Sequence, residues 1–319
     1  MAGNKGFMPK VSIIIPVYNG SNYMREAIDS ALNQTYENIE VIVVNDGSCD
    51  NGKTEEVAVS YGDRIRYIKK ENGGVSSALN VGIKNMTGEY FSWLSHDDKY
   101  EPGKIENSVK YLDKFQNREK LIALCGAYYI SGKSERIRDM VFRFEKNKIY
   151  SGKEMIEYFL TYGGVDFCCM LIPKAAFAEC GYFNEDLRYN QDLLEQYQLF
   201  CGRYEMVADI DNKDVMYRLH AQQTSKTRRD LLVRDSYEMA KIIAPVFAKQ
   251  STKEKNLLKM FAQKNAKHDL KNAVNECIRI GENEKIFNKS DIYELKFFLY
   301  LGKIRNLIKN IYHGIMFRK

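Results

Sequence analysis

Two adjacent carboxylates, Asp97 and Asp98, follow the apolar run Phe91-Ser92-Trp93-Leu94 after only Ser95 and His96. Acids placed side by side repel unless a cation stands with them, and a hard divalent ion, Mg²⁺ or Mn²⁺, is the natural neighbour of carboxylate oxygen. The run before them reads as a buried strand, which puts the acids where open α/β sheets hold their ligands. His96 adds an imidazole that could ligate a metal, although hard oxygen donors suit these ions better. A second acid, Asp46, sits in Asn45-Asp46-Gly47-Ser48, directly after the apolar run Ile39 to Val44. Its carboxylate can accept from the N–H of a nucleotide base, and Tyr18 offers an aromatic face for that base. Asn-Asp-Gly is also an ordinary turn sequence, so Asp46 alone does not decide between the two roles.

The elements that must position these residues alternate in type. Val11 to Val17 is a β-branched strand, followed by the turn Tyr18-Asn19-Gly20 and by Tyr23, Ala27, Ile28, Ala31 and Leu32 at helical spacing. Ile39 to Val44 and Ile65 to Ile68 read as strands, Val75 to Met86 as a helix, and Tyr90 to Leu94 as the strand that delivers Asp97 and Asp98. Alternation of this kind predicts an α/β fold with a mostly parallel sheet covered on both faces. The loops at 16 to 19, 45 to 48 and 95 to 98 then converge at one sheet edge.

In order and spacing, several short segments together resemble the family-two glycosyltransferases of GT-A fold, over roughly the first two thirds of the chain. They are Pro16-Val17-Tyr18-Asn19, Val44-Asn45-Asp46-Gly47-Ser48, Asn72-Gly73-Gly74-Val75-Ser76 leading to Asn80-Val81-Gly82-Ile83, and Gly88-Glu89-Tyr90. The resemblance implies transfer of a sugar from a nucleotide diphosphate, a UDP- or dTDP-sugar, to an acceptor hydroxyl. It implies donor nucleotide binding by Pro16, Val17, Tyr18, Asn19, Asp46, Asn80 and His96, with Asp97 as the direct metal ligand. His220, after Val215 to Leu219, resembles a family histidine that approaches the metal and diphosphate; as a residue it reads equally as a strand-end histidine. Gln191-Asp192 stands where the family carries an acidic pair whose second member is the general base, which makes Asp192 the expected catalytic residue of an inverting transfer. Glu185 and Asp186 are the alternative bases. Two positions depart from the family pattern: Ser95 replaces an acid, and Leu79 replaces an arginine that would reach phosphate.

The remainder of the chain has a different character. Residues 1 to 225 carry 27 Lys and Arg against 32 Asp and Glu, and residues 226 to 319 carry 21 against 10, so net charges of −5 and +11 make up the total of +6. This step predicts a catalytic domain over 1–225 and a basic helical domain over 226–319, with Pro245 its only breaker. Ile304, Leu307, Ile308, Ile311, Tyr312 and Ile315 recur at helical spacing among Lys303, Arg305, Lys309, Arg318 and Lys319. Such a helix can lie on an anionic membrane surface, or pack its apolar stripe on a neighbouring helix or a second subunit. The basic residues form no nucleic-acid motif. No run approaches the ~18 apolar residues of a membrane span. Met1 to Lys10 offers no signal peptide, and seven cysteines without C-x-x-C spacing read as reduced thiols, Cys168 and Cys169 on a buried strand.

Sequence and resemblance together predict a cytoplasmic transferase acting with Mn²⁺ or Mg²⁺, its tail recognising the acceptor, holding the enzyme at a membrane or making an oligomer; the resemblance alone implies the acceptor, a lipid-linked or protein-borne glycan. Two other readings stand beside it. A sugar nucleotidyltransferase needs a glycine-rich basic phosphate loop after the first strand, which Pro16 to Gly20 does not provide. A non-catalytic partner subunit would account for Ser95 and Leu79 but not for keeping both Asp97 and Asp192. A dehydrogenase lacks its G-x-G-x-x-G.

Overall fold

The computed structural model describes residues 6–221, 223, 229–251 and 256–316, with side chains at all of these except 229 and 307–316. Gln222, Thr224, Ser225 and Lys226, and Arg318 and Lys319 of the basic tail, lie outside the described residues. The chain divides into two compact units, one of residues 1–155 and 164–227, the other of residues 156–163 and 228–319.

The first unit is built on strands β1 (Val11–Val17), β2 (Ile39–Asp46), β3 (Arg66–Lys70), β4 (Tyr90–Trp93), β5 (Lys99–Tyr100), β6 (Leu121–Ile130), β7 (Arg136–Asp139), β8 (Ile149–Tyr150), β9 (Met170–Pro173) and β10 (Glu205–Arg218). Its helices are α1 (Met24–Leu32), α2 (Lys53–Val59), α3 (Val75–Asn85), α4 (Lys104–Leu112), the first turn of α5 (Gly152–Tyr162), α6 (Ala175–Cys180) and α7 (Gln191–Cys201). The strand order is β3-β2-β1-β4-β9-β6-β10-β5, with β7 beside β6 and β8 beside β10. Every residue of β1 is buried, as a β-branched run flanked by two parallel neighbours must be. Helix α1 buries Met24, Ala27, Ile28 and Ala31, one stripe at helical spacing.

From β3 to β4 the sheet is parallel, as the alternation predicts. Beyond β4 it is mixed, because β9 runs antiparallel to both β4 and β6 while β10 is parallel to β6. Cys168 and Cys169 are buried, but in a single 3₁₀ turn that leads into β9 rather than on the strand itself. Asp166 caps that turn by accepting from Cys168 N at 2.8 Å, which starts the turn before the strand can extend backwards.

The second unit contains the end of α5 and helices α8 (Arg229–Gln250), α9 (Leu257–Lys267), α10 (Lys271–Asn283) and α11 (Lys289–Met316). Its core is made by Ile243, Phe247, Leu258, Phe261, Val274, Cys277 and Leu295. Pro245, read from sequence as a breaker, lies inside α8, where buried Ile243, Ala244, Phe247 and Ala248 hold the helix on both sides of it. No helix among the described residues is long and apolar enough to cross a membrane.

Candidate active site

The register of the central strands pairs Val17 with Asn45 and Ile14 with Trp93, so the carboxyl ends of β1, β2 and β4 open on one edge. The turns that leave them meet there. Asn19, at φ 50°, donates its backbone N–H to Ser48 Oγ at 2.9 Å and accepts from Cys49 N at 2.8 Å. Tyr18 is 46% exposed, with its hydroxyl 3.4 Å from Cys49 Sγ, and presents an aromatic surface at the mouth of the turns. Pro16 and Val17 are buried at the end of β1 and shape the edge from within the strand. The third loop joins through His96: a Cβ on Gly20 would come 2.4 Å from His96 Cδ2, so only glycine admits the imidazole there. Burial holds the pKa of His96 below its ordinary value, which keeps the ring neutral at pH 7.

Asp46 is buried and tightly held. Its Oδ1 accepts from Lys70 Nζ at 2.7 Å and Gly73 N at 2.9 Å, and its Oδ2 accepts from Gly74 N at 2.7 Å. Lys70 arrives through sheet register, since β2 and β3 pair Asp46 with Lys70. An ionised carboxylate has about four acceptor positions. Three are taken, and the fourth, on Oδ2, can receive a base N–H. Asn80 does not join this group. It is buried in α3, and its Nδ2 donates to Phe183 O at 2.9 Å and to Glu185 Oε1 at 2.8 Å, so it anchors the loop ahead of α7. Leu79 is fully buried and packs in the core. A different cation stands near the Asp46 turn: a Cβ on Gly74, whose φ is +86°, would meet Arg188 Nη1 at 1.7 Å.

The two acids after β4 have separate environments. Asp98 is buried, accepts from Arg218 N at 2.8 Å through Oδ1, and has Cys168 Sγ at 3.9 Å from Oδ2. Burial, with Asp97 and Asp166 nearby, pushes its carboxyl well above the ordinary range. Asp97 is half-buried, and its Oδ2 stands 2.9 Å from His220 Nε2. The two side chains contact each other directly there, and their oxygen and nitrogen donors would be the ones to hold a hard divalent ion. Among the described residues no three His, Cys, Asp or Glu side chains gather as a metal group. A Mg²⁺ or Mn²⁺ ion here would complete its shell with water and phosphate oxygen, as Mg²⁺ does at nucleotide sites, so the residues fit the ion. Ser95 Oγ lies 3.5 Å from Cys168 Sγ and is engaged there.

Asp192 occupies the first turn of α7, where the helix dipole favours a negative charge, and its Oδ1 accepts from Leu193 N at 2.8 Å. Burial, reinforced by the nearby charge of Asp166, pushes its pKa up to about 6 against that hydrogen bond. Glu185 and Asp186 are exposed, the first held by Asn80 and the second in a turn that Asn184 Oδ1 closes on Asp186 N.

Three residues of this region were not singled out from sequence. Asp166 interacts electrostatically with Asp97, Asp98 and Asp192, and so joins the loop after β4 to α7. Gln196, one turn beyond Asp192, accepts from Val165 N and donates to Val165 O, both at 3.0 Å, which fixes Asp166 beside α7. Arg218 is fully buried; its Nε donates to Asp97 O at 2.7 Å, its Nη2 pairs with Glu26 at 3.0 Å, and its guanidinium lies 4.5 Å from the Tyr23 ring. The legible signal for it was the arginine at the end of an apolar run, two residues before His220.

A family model described as Glycosyl transferase family 2 matches residues 12–181. An uncharacterized glycosyltransferase of Rickettsia felis is 51% identical over 227 residues, covering 69% of this chain and 36% of that protein, so this chain spans about a third of that relative's length. The uncharacterized glycosyltransferase RP339 of Rickettsia prowazekii is 45% identical over 256 residues, 79% of this chain and 76% of that protein. In structure the chain is similar to S. aureus TarS 1-349 in complex with UDP-GlcNAc, with a TM-score of 0.60 at 16% identity over 85% of this chain and 89% of that one. At that identity the likeness speaks for the fold, a GT-A-like mixed sheet followed by helices. With its family segment covering more than half of the chain, including the turns after β1, β2 and β4, the chain belongs to glycosyl transferase family 2.

Proposed function

We propose that this chain transfers a hexosyl group from a UDP-sugar to a hydroxyl of a growing glycan, carried on a lipid or a protein, with inversion at the anomeric carbon. One observation carries the reading: Asp97, 2.9 Å from His220, and a carboxyl of pKa about 6, Asp192, belong to one acidic cluster bridged by Asp166. An ion for the leaving diphosphate and a proton acceptor for the incoming hydroxyl would thereby serve one transfer.

Tyr18 supplies a face for the base, and the remaining acceptor position on Asp46 Oδ2 takes its N–H. Uracil and thymine share that N–H, so Asp46 does not separate them; the uridine assignment is supported by TarS, a protein of like fold that holds UDP-GlcNAc. Arg188, beside Gly74, offers the donor a positive charge that Leu79 does not. A Mg²⁺ or Mn²⁺ ion held by Asp97 and His220 would neutralise the leaving diphosphate. Asp192, ionised above about pH 6, takes the proton of the acceptor hydroxyl as its oxygen bonds to the anomeric carbon. The bond from that carbon to the diphosphate oxygen breaks with its electron pair leaving on UDP, and a single displacement from the opposite face inverts the centre.

The test is a panel of UDP- and dTDP-sugars with Mn²⁺ or Mg²⁺ and a glycan acceptor, the anomeric configuration of the product being read by NMR. An inverted glycoside from one UDP-sugar is expected. Retention of configuration, or metal-independent turnover, would contradict the roles given to Asp192 and Asp97; donor binding without turnover on any acceptor would favour a partner subunit.

A further inference from the structure

Helix α11 carries two apolar faces, and among the described residues only one is covered. Leu295 and Leu299 are buried, and Gly302 lies so close to α9 that a Cβ on it would meet Ala266 O at 2.4 Å. This face, at spacings of four and three, belongs to the core of the second unit. On the other side Tyr293 is 73% exposed, Phe297 58%, Tyr300 61%, Leu301 42% and Ile304 37%. At ~100° per residue these five fall within an arc of about 100°, a continuous stripe along the helix. In the sequence the same spacing continues with Ile308, Ile311, Tyr312 and Ile315. Five exposed large apolar side chains in one row are a patch that a solvated helix does not keep without a partner.

We propose that this stripe docks on the surface of an anionic lipid bilayer. Charge selects the partner. By the same helical spacing Lys296 and Lys303 flank one side of the stripe and Arg305 the other, where long stems can lie along apolar surface with their heads at lipid phosphates. The acids of α11, Asp291 and Glu294, both pair with Lys259 within the unit, at 2.6 and 2.8 Å, and no acid follows Glu294 in the sequence. Residues 226–319 carry a net +11, from 21 basic and 10 acidic residues, so a second copy would bring like charge to the same face while an anionic surface brings the opposite. The two tyrosines suit the bilayer interface, where an aromatic ring meets apolar chains and its hydroxyl meets water. The helix lies on the membrane and does not cross it. The docking face shares no residue with the cluster around Asp97 and Asp192, so it stands or falls apart from the proposed transfer.

The experiment is flotation of the full chain with vesicles of phosphatidylcholine alone and of phosphatidylcholine with phosphatidylglycerol, at low and high salt. Binding is expected only to the anionic vesicles and weakens as salt rises. The double variant Phe297→Ser, Tyr300→Ser loses binding by about tenfold or more, and Lys296→Gln, Lys303→Gln, Arg305→Gln together lose a similar factor. Val141→Ser, an equally surface-exposed apolar position in the first unit, leaves binding unchanged. Circular dichroism confirms that each variant is folded. Absence of vesicle binding by the folded native chain would overturn the proposal, as would equal binding to neutral vesicles. A dimer seen by sedimentation velocity and abolished by Phe297→Ser, Tyr300→Ser, in a chain that does not float, would reassign the stripe to a second copy.

Discussion

At the scale of single residues, environment assigns work that residue type leaves open. Asp46 and Asp192 are both aspartates near a turn, yet Asp46 is locked by Lys70 and two backbone N–H groups, whereas Asp192 has one such bond and a like charge nearby. A fixed acceptor suits base recognition, and a loosely held carboxyl of pKa about 6 suits proton transfer near neutrality. Replacing Lys70 by Met removes the neighbouring charge and one of the two bonds on Asp46 Oδ1, leaving Gly73 N on that oxygen; donor affinity, measured by calorimetry, is expected to fall by about tenfold, the effect of losing a charged hydrogen bond. Glu195 shows burial acting alone. It is fully buried, neither carboxylate oxygen has a hydrogen-bond partner among the described residues, and desolvation pushes its pKa up to about 8. A raised folded-state pKa means that the folded chain holds this proton while the unfolded chain releases it above about 4.5, so this residue's effect is a loss of stability as pH climbs from there to about 8. Glu195→Gln is expected to flatten that slope and to gain about 1 to 3 kcal/mol at pH 8, measured by urea unfolding.

At the scale of elements, the site depends on how strand ends are tied to one another. Arg218 closes β10 and binds the turn after β4 twice, through Asp97 O and through its own backbone N–H to Asp98, while its guanidinium reaches Glu26 on α1. Arg218→Met would leave buried acceptors without a donor and should cost about 3 kcal/mol or more in urea unfolding, with donor binding weakened because Asp97 loses its seat. The sequence made the first four parallel elements legible, since β-branched runs alternating with helical spacing have few other solutions. It made the turn convergence legible too, because Asp46 and the pair Asp97 and Asp98 each follow an apolar run. The antiparallel entry of β9 and the 3₁₀ turn at Cys168 and Cys169 were not legible. Both depend on partners distant in sequence, and an apolar segment such as Phe167-Cys168-Cys169-Met170 reads alike in either direction and in either conformation. Arg218, Asp166 and Gln196 were not legible for the same reason, since each is tied to residues distant in sequence: Gln196 to Val165, 31 positions away, and Arg218 to Glu26, 192 positions away.

At the scale of the whole molecule, the charge step near residue 226 marks a change in composition that accompanies the change from mixed sheet to helices. Composition did not reveal that residues 156–163, inside the sequence of the first unit, belong with the second. The end of α5 has the same amphipathic look as any surface helix, and only contact shows which core it serves. The family match covers the strands and turns that hold Tyr18, Asp46, Asp97 and Asp166 but ends at residue 181, before Asp192 and His220. The central claim of the proposed mechanism therefore rests on the residue beyond that segment. It is tested most directly by the pH dependence of kcat/KM together with donor affinity in the native chain and Asp192→Asn. The account predicts a native profile that rises with pH through about 6, and a variant that binds the donor as before but turns over about 10² to 10⁴ times more slowly with that inflection gone. A variant that keeps the inflection and most of its turnover would contradict it, and the base would have to be sought elsewhere on the same edge.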